Sequence, residues 1–300
     1  MMKKIVPYLL LLTALFACDH RKNLSDAYGN FEARDVIVSA EATGKLLSLN
    51  IEEGSEVKPS DVLGMIDTVP AVLQIKQLDA QLAAVQSKLA GVKAQIAAQV
   101  QQKENLQVNV DRIGKLFESG VATQQQKDDI DGQMKLVKKQ IDASKTQITS
   151  IQKEIKVLEE NKQLLEYQLS KCSVISPING TILQKYVKAG EMAVAGKPLF
   201  KVADLSSLDL RCYITGDKLA QLKLGQKVKV LIDSGKETTA ELDGKVTWIS
   251  SEAEFTPKII QTKEERVKLV YAVKVNVKND GTLKIGMPGE MVIVNVVMSE

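Results

Sequence analysis

Between Pro70 and Pro177 the chain runs for 106 residues without a proline and with only four glycines. A proline inside a helix costs ~3 kcal/mol, so a gap of this length admits very long helices. The spacing of apolar residues decides what fills it. Ile75, Leu78, Leu82, Val85, Leu89, Val92, Ile96, Leu106, Val110, Ile113 and Phe117 fall on one alternating 3/4 series, interrupted only by Gln99 and Lys103. A second series runs Ile130, Met134, Val137, Ile141, Ile148, Ile151, Ile155, Leu158, Leu165 and Leu169, with Ser144 and Lys162 as its breaks. A 3.5-residue period sustained over about six heptads is a coiled-coil seam. The two arms, 70–117 and 124–171, are nearly equal, and Glu118-Ser-Gly-Val-Ala-Thr123 separates them, with Gly120 able to take the positive φ of a tight turn. The spacing predicts one antiparallel hairpin about 70 Å long. A parallel dimer with a continuous helix is the alternative, but the seam phase resets between Phe117 and Ile130.

The flanks of the hairpin match each other. At an offset of 136, Gly44 aligns with Gly180, Leu46 with Ile182, Leu47 with Leu183, Ile51 with Val187, Gly54 with Gly190, Ser60 with Gly196, Leu63 with Leu199 and Ile66 with Val202. Each copy reads as a short strand, a glycine turn and a second strand, about 30 residues in all and too few to bury a core alone. Two copies packed together make one small β-sandwich, split by the hairpin, and both hairpin ends then close at one place. After Asp204, β-rich runs at 208–214, 227–232, 244–249, 270–277 and 290–297 suggest a small antiparallel barrel or sandwich, with a short helix in 217–224.

Composition excludes much of catalysis. The chain has one histidine, His20, and three cysteines, Cys18, Cys172 and Cys212, which form no zinc-ligand set. A triad would have to use His20, beside a processing site. Five Gly-Lys pairs occur, none with the upstream glycine and downstream hydroxyl of a phosphate-cradling loop. Asp128, Asp129 and Asp131 fail the calcium-loop spacing and read as a solvated helix face. Forty basic against 37 acidic residues leave a formal charge of +3, no footprint for nucleic acid. No enzyme, cofactor or metal site is expected. In an oxidising compartment Cys172 and Cys212 could bond, or each could be a small buried residue.

At the N-terminus Lys3 and Lys4 precede an apolar run from Ile5 to Phe16, the layout of a secretory signal and too short to span a bilayer. Leu15-Phe-Ala-Cys18 resembles a bacterial lipobox, in which Cys18 becomes the lipidated first residue. The expected order is a signal peptide at 1–17, a lipidated tether at 18–33, lipoyl-like halves at 34–69 and 172–204 around the hairpin at 70–171, and a barrel at 205–300.

That order resembles the HlyD-type periplasmic membrane fusion proteins, adaptor subunits of tripartite efflux and secretion systems. "TGKLLSLNIEEGSEVKPSDVLGMID" and "SPINGTILQKYVKAGEMAVAGKPLFKVADL" look like the family's two lipoyl half-motifs, and "GMPGEMVIVNV" like its closing barrel strand. "AEFTPKIIQTKEERVKLVYAVKV" is similar to adaptors serving ABC-type exporters. The resemblance implies an α+β fold: a long antiparallel coiled-coil α-hairpin inserted in a split lipoyl-like β-domain, followed by a small β-barrel. It also implies a non-enzymatic role in the periplasm of a Gram-negative cell, linking an inner-membrane transporter, ABC-type favoured, to a TolC-like outer-membrane channel. Lipid at Cys18 would hold the chain to the inner membrane, and copies would assemble into a ring, commonly a hexamer. The family's Arg-x3-Leu-x6-Ser tip pattern falls on Arg112, Leu116 and Thr123, with threonine in the serine position. The rival readings are a lipoyl or biotin carrier, whose acceptor-lysine turn the hairpin would displace, and a purely structural envelope coiled coil.

Overall fold

The structure is a computed structural model that describes residues 25–233, 239–255 and 269–294. The signal peptide and Cys18 lie outside the described residues. In chain order the elements are β1 (Ala27–Ser39), β2 (Gly44–Leu49), β3 (Glu56–Val57), β4 (Val62–Ile66), α1 (Val69–Glu118), α2 (Gln124–Ser170), β5 (Ser173–Ile175), β6 (Gly180–Lys185), β7 (Met192–Ala193), β8 (Pro198–Thr215), α3 (Gly216–Leu219), β9 (Lys227–Asp233), β10 (Thr239–Phe255), β11 (Leu269–Lys278) and β12 (Pro288–Ile293).

The two half-motifs pack into a sandwich. One layer is β5-β4-β2-β7; the other is β6 and β3 continued by β8 and β1. The offset of 136 is a pseudo-two-fold, because the hydrogen bonds between the halves come in reciprocal pairs. Gly54 N donates to Ile182 O at 2.8 Å and Gly190 N to Leu46 O at 2.7 Å. Ser60 N donates to Ser176 O at 2.9 Å and Gly196 N to Ala40 O at 2.8 Å. Ser60 and its mate Gly196 even share the left-handed region, at φ 69° and 88°. Leu46, Ile182, Ile66, Val202, Leu63 and Leu199 are buried together, so neither half has a core without the other.

The barrel differs from expectation at its N-terminus. Strands β1-β12-β9-β10-β11-β8 run in order, and β8 pairs back onto β1, closing a six-stranded antiparallel barrel. Residues 27–33, expected in the tether, are therefore barrel strand. Closure is the reason: without β1 the edges of β8 and β12 would expose unpaired N–H and C=O groups. Phe31 is fully buried in the barrel core, and Gly289 leaves room for it, since a Cβ there would lie 2.9 Å from the ring. Strand β8 likewise crosses the expected 204/205 boundary without a break, pairing with β1 in both domains. The short helix is confined to Gly216–Leu219.

At the waist where sandwich meets barrel, β1 is irregular between Glu32 and Arg34. There Arg34 donates Nε to Asp209 Oδ2 at 2.8 Å and Nη2 to Oδ1 at 3.0 Å, and Asn276 Nδ2 adds a third bond at 2.9 Å. Burial pushes the Asp209 carboxyl up, but the bonds from Arg34 and Asn276 and the charges of Arg34 and Lys274 outweigh it and hold it below the ordinary carboxylate range. Cys172 belongs to the sandwich core and Cys212 to the barrel core, both as free thiols, so they do not bond. Burial raises both, Cys212 to about 12, and neither is a nucleophile at neutral pH.

The hairpin follows its seam. Leu78, Leu82, Val85 and Val92 of α1 and Met134, Val137, Ile141 and Ile151 of α2 are its buried apolar residues. Three of the four breaks in the two series find partners across the hairpin: Ser144 Oγ donates to Gln99 Oε1 at 3.1 Å, and Lys162 Nζ to Asp79 Oδ1 at 2.6 Å. Pro70 stands in the first turn of α1, where its missing N–H costs nothing, and Asp67 accepts from Val69 N. Among the described residues no helix is long and apolar enough to cross a membrane.

Candidate partner-docking site at the hairpin tip

The tip is held rigid by backbone and side-chain caps. Helix α1 ends at Glu118, and the Leu116 carbonyl accepts from Val121 N at 2.8 Å, Ala122 N at 3.2 Å and Ser119 Oγ at 3.0 Å. Gly120 takes the left-handed conformation that this turn requires. Thr123 then starts α2 with a full capping box: its hydroxyl accepts from Gln126 N at 3.2 Å while Gln126 Oε1 accepts from Thr123 N at 2.8 Å. Lys127 lies over the Phe117 ring, 5.0 Å from its centre, tying the two arms just below the turn.

What this frame displays is apolar. Val121 keeps 72% of its surface exposed and Leu116 keeps 37%, whereas the adjacent seam residue Phe117 is half-buried. Arg112 and Leu116 are separated by one helical turn and share a face of α1, both exposed. Thr123, also exposed, stands at the opposite side of the turn. Its oxygen is committed to the cap, which leaves the hydroxyl hydrogen to donate outward. Arg112, Leu116 and Thr123 are thus all at the tip, two of them on one face and the third holding the turn. The sequence reading missed the roles of Gln126 and Lys127, although Thr123-Gln-Gln-Gln126 is itself a capping-box signature.

Among the described residues no group of three His, Cys, Asp or Glu side chains could hold a metal, and Asp128, Asp129 and Asp131 lie along the first turns of α2. Gln124 Nε2 engages Asp128 at 2.8 Å.

A family model described as "RND MFP, barrel-sandwich hybrid domain" matches residues 34–205, more than half of the chain. The chain belongs to the membrane fusion protein family. Residues 204–297 of this membrane fusion protein match a model described as "LcnD-like, C-terminal domain". A UPF0194 membrane protein of Yersinia enterocolitica is 26% identical over 319 residues, covering 95% of this chain and 97% of that protein. The UPF0194 membrane protein YbhG of Salmonella arizonae is 29% identical over 286 residues, covering 87% and 86%. Among solved structures, MacA from Actinobacillus actinomycetemcomitans superposes with a TM-score of 0.64 at 24% identity, covering 90% of this chain and 79% of that one. A MacA-MexA chimeric protein carrying the Pseudomonas aeruginosa MexA α-hairpin gives 0.53 at 23% identity, covering 88% and 78%. Both share the fold: hairpin, barrel-sandwich hybrid and β-barrel.

Proposed function

We propose that this membrane fusion protein is a periplasmic adaptor, linking an inner-membrane exporter of ABC type to a TolC-like outer-membrane channel for efflux of small molecules. In this reading an acyl anchor at Cys18 holds the chain to the inner membrane of a Gram-negative cell. The barrel and sandwich stand next to the exporter, and several copies form a ring, a hexamer by family resemblance. The chain supplies reach and contact; the exporter supplies energy.

The observation that carries the reading is the tip. A rigid, doubly capped turn presents exposed Leu116 and Val121 beside Arg112 at the end of helices about 70 Å long. Apolar side chains held outward on a pre-ordered frame suit helix-to-helix docking, because little entropy is lost when the partner arrives. Arg112 and the Thr123 hydroxyl would add direction to an apolar contact.

In-cell photo-crosslinking from position 118, with mass spectrometry of the adduct, tests this. Capture of an outer-membrane channel is the expected outcome, abolished by Leu116→Asp at unchanged protein level. Adducts only with other copies or with peptidoglycan-associated proteins would overturn the channel contact and leave a structural coiled coil.

A further inference from the structure

Strand direction sorts the connections of the barrel between two ends. Strand β1 rises from Ala27 toward the sandwich and β8 descends from it to Thr215, so antiparallel pairing puts the starts of β9 and β11 and the ends of β10 and β12 at the end remote from the sandwich. Direct contacts gather this end. Asp26 Oδ2 accepts from Ile293 N at 2.7 Å, Asp26 pairs with Lys218 of α3 at 2.8 Å, and Ile293 lies opposite Val228 at the start of β9.

Beside them is a turn with an unusual load. Lys223 N donates to Gln226 Oε1 at 2.8 Å and Gln226 N to Lys223 O at 3.1 Å, closing Lys223-Leu-Gly-Gln226 into a tight turn with Gly225 at φ 82°. Gly225 N is itself bound to Val246 O at 2.9 Å, so the turn is fastened to the barrel wall. Leu224 sits at its corner with 69% of its surface exposed, while neighbouring Leu222 is buried in the barrel core. Lys223, Lys227 and Lys245 surround it, all exposed and, among the described residues, without an ion-pair partner. Lys227 and Lys245 are directly opposite each other in the β9–β10 register, a like-charge pairing that an isolated sheet disfavours. The nearby Asp243 pairs with Lys229 at 2.9 Å and also feels the charge of Lys227, so it offsets the lysines around the turn only in part.

We propose that this turn is a contact for an anionic lipid surface, with Leu224 entering the headgroup layer and Lys223, Lys227 and Lys245 meeting lipid phosphates. The inference rests on the reading of Cys18 as an acyl anchor, and chain length argues for the occupant. Six residues separate Cys18 from Ser25, so the barrel end that begins at Ser25 lies within about 25 Å of an acylated cysteine. A lipid-held chain would keep this basic turn near the bilayer, where each lysine adds attraction and a buried leucine adds apolar contact.

The test uses the mature chain with Cys18→Ser, which carries no acyl group, in flotation with vesicles. Binding to phosphatidylglycerol/phosphatidylethanolamine vesicles is expected, with little binding to phosphatidylcholine alone and weakening as salt rises. Lys223→Gln should reduce affinity about fivefold and Lys223→Gln with Lys227→Gln about 25-fold. Leu224→Ser should reduce it about tenfold, with thermal unfolding unchanged in all three because the side chains are exposed. No binding to anionic vesicles, or binding that these variants leave intact, overturns the proposal and assigns the turn to a protein partner or to solvent. Neither exporter nor channel is in the flotation, so its failure leaves the tip crosslink unaffected, and failure of the crosslink leaves the vesicle result standing.

Discussion

The β-body and the hairpin are built from the same chain by opposite packing rules. In the sandwich and barrel, side chains such as Phe31, Phe200, Leu46, Leu210 and Ile214 lose essentially all contact with solvent. In the hairpin no residue does: its most buried seam positions, Val137 at 3% and Met134 at 5%, still touch water, and most of the seam toward the tip is only half-buried. Two helices enclose a line, whereas two sheets or a closed barrel enclose a volume. The body is therefore the cooperative, stable unit. The hairpin is a spoke held by one row of contacts, whose value lies in its length.

Substitutions should separate these regimes. Phe31→Ala should cost ~3–5 kcal/mol in chemical denaturation, since it empties the barrel where β1 closes it. A loss below about 1 kcal/mol would mean that β1 does not complete the barrel. In the hairpin, Leu82→Ala should cost ~2 kcal/mol. Hydrogen exchange should accelerate in α1 and α2 while the strands stay protected; uniform acceleration would show one cooperative unit and erase the contrast.

The waist between the two β-domains gives a pH-dependent effect of intermediate size. Asp209 has its carboxyl held below the ordinary range, so its contribution is fully present above about pH 4 and is lost as pH falls through the lower folded-state value. Arg34→Ala should cost ~1.5–3 kcal/mol at neutral pH and leave burial to dominate the carboxyl, whose folded-state value then rises toward or above the unfolded one, so that the acid loss of stability due to Asp209 shrinks or reverses relative to the unaltered chain. Melting curves from neutral pH downward decide this; identical acid limbs would mean that Arg34 does not set the carboxyl.

Within the seam, Gln99→Leu with Ser144→Ala should be nearly neutral while either single change costs ~1 kcal/mol, because each leaves one polar group without its partner. Additive effects would sink that pairing. The smallest effect on stability belongs to Leu116→Asp, within ~0.5 kcal/mol. A substantial loss of stability there would mark Leu116 as a seam residue instead of a display residue.

The hairpin and the split repeat were legible because each repeats a pattern many times: a seam of alternating threes and fours, and a run of apolar and glycine positions that recurs 136 residues later. Their partners in space follow from the pattern itself, as Leu46 and Ile182 illustrate. The first barrel strand was not legible. Its inward positions are Ala27, Gly29 and Phe31, and a glycine between a small and a large residue breaks the alternation that marks a strand. Only the pairing of 27–30 with 288–291 and of 28–32 with 209–213 reveals it. At the tip, spacing located Arg112, Leu116 and Thr123, but which of them caps and which are displayed depends on the turn geometry.

The root of the hairpin carries a mechanical consequence. Strand β4 leads into α1 and β5 follows α2, and the two are antiparallel neighbours, with Met65 opposite Ser173. Tension along the hairpin axis draws both strands the same way, so it does not slide one along the other. The force passes to the ladder joining β4 to β2, where Leu46, Ser48 and Leu49 oppose Ile66, Met65 and Gly64. Stretching by the tip should meet resistance from that short ladder in shear, whereas pulling the two helices apart sideways would open the seam one side-chain layer at a time.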